Sequence, residues 1–359
     1  MTAVLDPSPP TAHPGAQRVA QQVAQHRRRR ARRVLVVGVV LAVAVVAVFV
    51  LTMSVGSSGV APLDVLRSVV APGSDPRTDF IVRELRLPRA LTSLLVGLAL
   101  GISGTVFQRL LANPLASPDV LGIASGASAA AVAGLVLGNL GGLALSGAAL
   151  AGALATSALV YLLAWRQGIS GYRFILVGIG IGALMGSVTS YLLSKAEVAD
   201  ARAAFAWLVG SSGMAGTAQI QVLAAAVVVL GPLSGLLGRR LTVLELGDDT
   251  ARGLGLHVER DRRLLMLVSV VLVALATAAA GPIAFVALMA GPLAARLVAG
   301  AGSGIVASAC VGALIVLVAD LLGQHLLPVT LSTGVVTGLI GAPYLVWLLI
   351  ATNRSGAGG

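Results

Sequence analysis

Apolar runs of membrane-spanning length recur along nearly the whole chain after residue 34, and no other feature restricts the fold as strongly. A bilayer core about 30 Å thick is crossed by a helix of about 20 apolar residues, because a helix satisfies its own backbone polar groups. Ten candidate runs occur, at about 34–53, 90–112, 120–138, 143–165, 174–194, 218–237, 264–280, 282–298, 304–322 and 333–351. The eighth is short and weak by itself. The pattern predicts an all-α membrane protein with ten transmembrane helices. The chain is 57% hydrophobic and 11% charged, so no stretch has the composition of a soluble domain. Aromatics are few and its 44 glycines many, which suits helices packed closely through small residues. The single cysteine, Cys310, excludes an intramolecular disulfide and a Cys/His metal cluster.

Residues 1–33 differ from the rest. They carry Pro7, Pro9, Pro10 and Pro14, then a basic block at Arg27–Arg30, Arg32 and Arg33. This reads as a disordered basic cytoplasmic tail, with the membrane domain over 34–353 and a short C-terminal tail over 354–359. The block acts as a topogenic signal that keeps the N-terminus inside; nucleic-acid binding is the disfavoured alternative. A cleaved signal peptide is not expected, because 34–53 is long enough to span and no A-x-A site follows. With ten spans, both termini lie in the cytoplasm. The positive-inside rule agrees. Seven tail arginines, Arg109, Arg166, Arg173, six between Arg239 and Arg263, Arg296 and Arg354 fall inside, leaving seven of the 25 Lys and Arg outside. Outside lies a loop over 54–89; inside lies a charged loop over 238–263.

Between the second and third runs, Gln108 to Ala127 reads QRLLANPLASPDVLGIASGA. Asn113 precedes a proline and leaves the α region, which ends the second span. Ser117-Pro118-Asp119 has the grammar of a helix start: a capping serine, proline at the first position and an acid at the positive end. The stretch reads either as a capped turn or as irregular backbone beside a translocation path. Small-xxx-small spacing at Gly97/Gly101, Gly178/Gly182/Gly186 and Gly334/Gly338 is consistent with tight helix packing or with sliding helices. Lys195, the one lysine, is followed by Ala196, so no G-x-x-x-x-G-K-[ST] loop exists and the chain is not its own ATPase.

These segments, taken in order, resemble the iron-siderophore and cobalamin permease family of ABC importers. The resemblance rests on Gly97 through Gly126, Arg86-Leu87-Pro88-Arg89, Trp207-Leu208-Val209-Gly210-Ser211 and Leu244-Glu245-Leu246-Gly247 with Thr250-Ala251-Arg252 and Leu254-Gly255. It continues in Gly281-Pro282-Ile283-Ala284-Phe285-Val286 and the run from Gly334 to Pro343. It implies the architecture of a type II ABC importer permease and a role as the membrane-spanning subunit of an ATP-driven importer for ferric siderophores, with cobalamin or haem as the alternative cargo. The implied partners are a second permease subunit, identical or paralogous, two cytoplasmic ATPases that hold ATP and Mg, and an extracytoplasmic binding protein, all at the cytoplasmic membrane. No cofactor in this chain and no nucleic-acid partner are expected. A membrane enzyme or receptor, the remote alternative, would need converging intramembrane His, Glu or Asp, and the spans offer only Asp320.

The same resemblance assigns residues. Asn113, Pro114 and Leu115 match the inner gate, joined by Ser170 and Gly171. Glu245, Leu246, Gly247, Asp248, Thr250, Ala251, Arg252, Leu254 and Gly255 match the segment that docks on the ATPase; Gly247 is expected to split it into two short helical pieces, with Asp248 capping the second. Arg86 and Arg89 match the pair that meets acidic residues of the binding protein, although arginines near span ends also have a structural reading. Asp320 is either a proton-coupling group or a satisfied structural carboxylate. The chain departs from the family at Gln324, where an arginine is usual, at Thr330-Leu331-Ser332 for Glu-Leu-Pro, and at Gly291-Pro292 for Pro-His. His257 and His325 are isolated and carry no expected role.

Overall fold

The structure is a computed structural model and describes residues 14–56, 59–71, 73, 75–119, 121–165, 171–299, 304–326 and 328–356. Among these residues there is no strand. The helices are α1 (Pro14–Ser54), α2 (Pro62–Val70), α3 (Pro76–Asp79), a π-helical turn (Phe80–Arg86), α4 (Leu87–Leu110), α5 (Ile123–Gly138), α6 (Gly142–Ala164) and α7 (Gly171–Lys195). They continue with α8 (Val198–Val209), a 3-10 turn (Ser212–Met214), α9 (Thr217–Leu244), α10 (Asp248–Gly253), α11 (Val258–Ala280), α12 (Val286–Val298), α13 (Ile305–His325) and α14 (Thr333–Gly356). Eight described helices are long and apolar enough to cross a membrane. The third and eighth expected spans are instead the shorter apolar helices α5 and α12. At 1.5 Å per residue these reach only about 24 and 20 Å, less than a bilayer core. Irregular backbone at 111–119, at 121–122 and at 281–285 leads into each of them.

α4 is the axis of the bundle. In its helix 83% of the most apolar stretch is buried, against 11% for α1 and for α7. α13, α11, α12 and α9 pack directly around α4, and α1 lies outside α13. Small residues permit this. A Cβ on Gly97 would fall 2.5 Å from the Ala313 Cα and the Gly312 carbonyl oxygen, and Gly101 and Gly104 press equally closely on the backbones of Ser308 and Ala287. Bulkier residues would push α13 and α12 away, so the Gly97/Gly101 spacing serves tight packing. Gly178 and Gly182 likewise meet the backbone at Leu121 and Gly122, whereas Gly186 and Gly338 face open space. The outer helices carry exposed Leu, Ile and Val, such as Val40 and Val43 on α1 and Leu162 on α6. In lipid such a surface needs no cover.

Four expectations about boundaries change. First, α1 begins at Pro14, so the basic block expected in a disordered tail lies on a helix continuous with the first span; residues 1–13 are outside the described residues. Beyond Gly15 the segment contains no Gly or Pro, and its Gln, Ala and Arg are good helix formers. Second, the outer loop of 54–89 is helical from Pro76 and runs without a break into α4. Asp75 caps that helix, its carboxylate accepting from the Thr78 hydroxyl (2.5 Å) and the Arg77 N–H (3.1 Å). The Thr78 bond holds the Asp75 carboxyl below the usual carboxylate range. Third, the helix expected to start at Ser117-Pro118 starts at Ile123. Gly122 has φ +78°, a left-handed conformation that no α-helix passes through, and its side meets the Gly178 carbonyl. Fourth, the first half of the charged inner loop is no separate piece: α9 runs on to Leu244.

Candidate functional site

Three polar clusters punctuate an otherwise apolar bundle. The first surrounds the Asn113 turn at the end of α4. Ala112 takes a left-handed conformation and reverses the chain (φ +46°). The Asn113 N–H then returns to the Gln108 carbonyl (2.9 Å), and the Asn113 side-chain oxygen accepts from the Leu115 N–H (2.9 Å). Gln108, buried in α4, donates through its side-chain amide to the carbonyls of Pro114 (2.8 Å) and Leu288 (2.9 Å). One carboxamide thus ties the turn to both α4 and α12. The residue Gly291 lies against the Gln108 amide oxygen, where any side chain would collide with it. The Gly291 departure from the family pattern therefore makes room for Gln108. Gly171, at the start of α7, faces the Leu111 carbonyl, which brings it to the same corner as Asn113, Pro114 and Leu115. Ser170 falls outside the described residues. A cavity of about 470 Å³ opens beside this corner, lined by Thr105, Gln108, Arg109, Asn113, Pro114 and Glu245 among others.

The second cluster begins on that cavity wall. Arg109, one residue beyond Gln108, grips Glu245 at the end of α9 in a two-point contact, Nε to Oε1 at 2.5 Å and Nη2 to Oε2 at 2.7 Å, and also reaches the Thr242 hydroxyl (3.1 Å). Bidentate arginine–carboxylate pairs fix orientation as well as distance. Gly247 then breaks the chain at φ +96° and occupies the cap position of α10, so Asp248 is the first helical residue and not the cap. Its carboxylate instead pairs with Arg262 of α11 (2.8 Å). Arg252 pairs with Asp249 (3.0 Å), and Arg240 of α9 pairs with the buried carboxylate of Asp261. Ala251 is the buried residue of α10, whereas Leu246 and Leu254 are 60% and 62% exposed on a charged loop.

At the opposite end of α4 lies the third cluster. Arg89 makes a bidentate pair with Asp320 of α13, Nε to both oxygens at 3.1 and 3.0 Å and Nη2 to Oδ1 at 2.9 Å. Asp320 also accepts from the Gln324 amide (2.7 Å) and the Thr333 hydroxyl (2.7 Å), the first residue of α14. Thr333 in turn accepts from the Ser212 N–H (3.2 Å). The carboxylate is thus fully partnered within the chain, and Gln324, in place of an arginine, turns inward to it. Arg86 donates to the carbonyls of Met53 (2.7 Å) and Ser54 (3.2 Å), closing the C-terminal end of α1. Both arginines expected at a docking face are thus held within the chain while bordering a cavity of about 170 Å³ that also includes His325. Among the described residues no group of His, Cys, Asp or Glu could hold a metal ion.

Sequence reasoning singled out the Asn113 turn, the 245–255 segment and Arg89, and left three connections unseen: Gln108 to Leu288, Arg109 to Glu245, and Arg89 to Asp320. Each joins residues more than 130 positions apart. The available signal was chemical, since a Gln and an Asp inside apolar runs must find partners.

Comparison with known proteins covers most of the membrane region. The profile of the FecCD transport family matches residues 43–351. The ferric enterobactin transport system permease protein FepG of Escherichia coli (strain K12) is 45% identical over 284 residues, 79% of this chain and 86% of that protein. The achromobactin transport system permease protein CbrC of Dickeya dadantii (strain 3937) is 41% identical, over 85% of this chain and 88% of its own. Among solved structures, a metal-chelate type ABC transporter in an inward-facing conformation superposes with a TM-score of 0.78 at 26% identity, covering 88% of this chain and 98% of that one.

Proposed function

Because the chain belongs to the FecCD transport family, we propose that it is the membrane-spanning permease subunit of an ATP-driven ABC importer for ferric siderophores. Relatives named for ferric enterobactin, achromobactin and iron(3+)-hydroxamate transport support that cargo class. It is a transporter subunit and not an enzyme; ATP is hydrolysed by ATPase partners. In this reading the chain spans the cytoplasmic membrane ten times, counting α5 and α12, with both termini in the cytoplasm. It pairs with a second permease subunit, two ATPases and an extracytoplasmic binding protein. ATP and Mg sit on the ATPases, and this chain carries no cofactor.

The observation that carries the mechanism is the Arg109–Glu245 contact, which joins the proposed ATPase-docking segment to the proposed gate through a single residue step. The exposed Leu246 and Leu254 dock on the ATPase, and α10, pinned to α11 by Asp248–Arg262, moves as a unit with it. Glu245 passes that motion to the end of α4, where Gln108 holds the Asn113-Pro114-Leu115 turn. At the outer face Arg86 and Arg89 meet the binding protein as pre-positioned donors, since each guanidinium is already oriented by an internal partner. Uptake of radiolabelled ferric siderophores by cells with and without this chain tests the reading. Iron-chelate uptake that depends on the chain supports it; unchanged uptake of every ferric siderophore, with uptake of cobalamin or haem lost instead, refutes the cargo assignment.

A further inference from the structure

A further cavity lies outside these clusters. It is a crevice of about 380 Å³ between α5, α6, α7 and α11, and its walls are almost wholly hydrocarbon, including Leu121, Ile123, Leu154, Phe174, Met266 and Val270. Its rim is different. Arg263, in the second turn of α11, borders the crevice, and its one described hydrogen bond is from Nε to the Glu259 carbonyl (3.2 Å). Among the described residues no carboxylate pairs with it, although Arg240, Arg252 and Arg262 of the same region each have one. Tyr161 lines the same rim within electrostatic range of Arg263 and of Glu259, whose carboxylate pairs with Arg262 (3.4 Å), and Trp165 packs on Tyr161 with ring centroids 5.4 Å apart. These residues stand at the end of α6 and the start of α11, on the side of the chain that carries α10. Tyr and Trp beside an arginine at span ends mark the level of lipid headgroups.

We infer that this crevice binds one anionic phospholipid of the adjacent leaflet, with an acyl chain in the apolar slot and the phosphate on Arg263. Charge decides between the possible occupants. An apolar helix of a second subunit would cover Arg263 without supplying a counter-charge, and burying an unpaired cation is costly. A zwitterionic lipid brings a cation of its own beside the guanidinium. An anionic phospholipid matches the hydrocarbon wall and the unpaired cation together. The site also touches the machinery: Leu121 and Ile123 flank Gly122, where the loop from the Asn113 turn enters α5, so a seated chain braces that end of the loop.

Native mass spectrometry of the purified full-length chain, equilibrated with equimolar phosphatidylglycerol and phosphatidylcholine of identical acyl chains, tests this. The most tightly retained lipid should favour phosphatidylglycerol about fivefold, the worth of one cation at a lipid phosphate. Arg263→Gln should abolish the preference, whereas Arg239→Gln, which removes the same charge outside the crevice, should keep it. Ala158→Trp, which fills the slot, should lower retention of both lipids. A wild-type chain without preference overturns the inference, as does equal loss in Arg263→Gln and Arg239→Gln. Efficient cross-linking of a Leu162→Cys variant to a second copy, with no lipid retained, assigns the crevice to a subunit contact and also overturns it. None of these readouts depends on which cargo is carried.

Discussion

If Arg109 and Glu245 transmit motion between the docking segment and the gate, their removal should uncouple transport from ATP hydrolysis without unfolding the chain. The side chains are 19% and 35% exposed, so the pair is neither a free surface contact nor a buried one. A fully exposed pair contributes about 0.2–1 kcal/mol, whereas hydrogen bonds to charged groups contribute about 1.5–3 kcal/mol. Two short, parallel contacts in a partly screened position place the coupling near 1.5 kcal/mol, about tenfold in an equilibrium. Arg109→Gln and Glu245→Gln should each lower siderophore uptake about tenfold while basal ATP hydrolysis by the assembled transporter persists. The double variant should be no worse than either single, because both singles break the same link. The assay is uptake and ATP hydrolysis measured together in proteoliposomes for all four proteins. Multiplicative losses, near a hundredfold in the double variant, would refute the argument, as would single variants that transport at the wild-type rate.

Further outcomes follow from the packing and the outer cluster. Gly97→Leu places a side chain into the α13 backbone and should leave most of the protein misassembled, read as loss of a cooperative thermal transition in detergent. Removing either partner of the outer pair should give unequal results. Arg89→Ala strands a carboxylate that is 3% exposed and should cost about 3–5 kcal/mol, whereas Asp320→Ala leaves an arginine that is 29% exposed and costs less. Thermal unfolding of the two variants checks the order, and equal losses would contradict it. Gln108→Leu removes both side-chain bonds through which Gln108 ties the Asn113 turn and α12 to α4, so cysteine labelling at residue 113 should become faster than in an otherwise identical chain.

The patterning of apolar residues by itself determines that this chain spans a membrane repeatedly, because hydrophobic length is a local property that the bilayer reads directly. The charge asymmetry adds an expected orientation, and the ordered motifs add the family. Local chemistry also locates the Asn113 turn and the break at Gly247. It fails where conformation depends on neighbours at a distance. Ser117-Pro118-Asp119 has every local mark of a helix start, yet α5 waits until Ile123, because Gly122 is drawn against α7 and takes a left-handed turn. Arg89 reads from sequence as a rim charge and Asp320 as a lone acid; only the approach of α4 to α13, permitted by Gly97 and Gly101, makes them one ion pair. Arg109 and Glu245 meet for a similar reason: α9 runs on past the expected end of its span and delivers Glu245 to the end of α4. Pairings of this kind are set by helix packing, which sums contacts over the whole bundle, and so they are decided in three dimensions and leave no local mark in the chain.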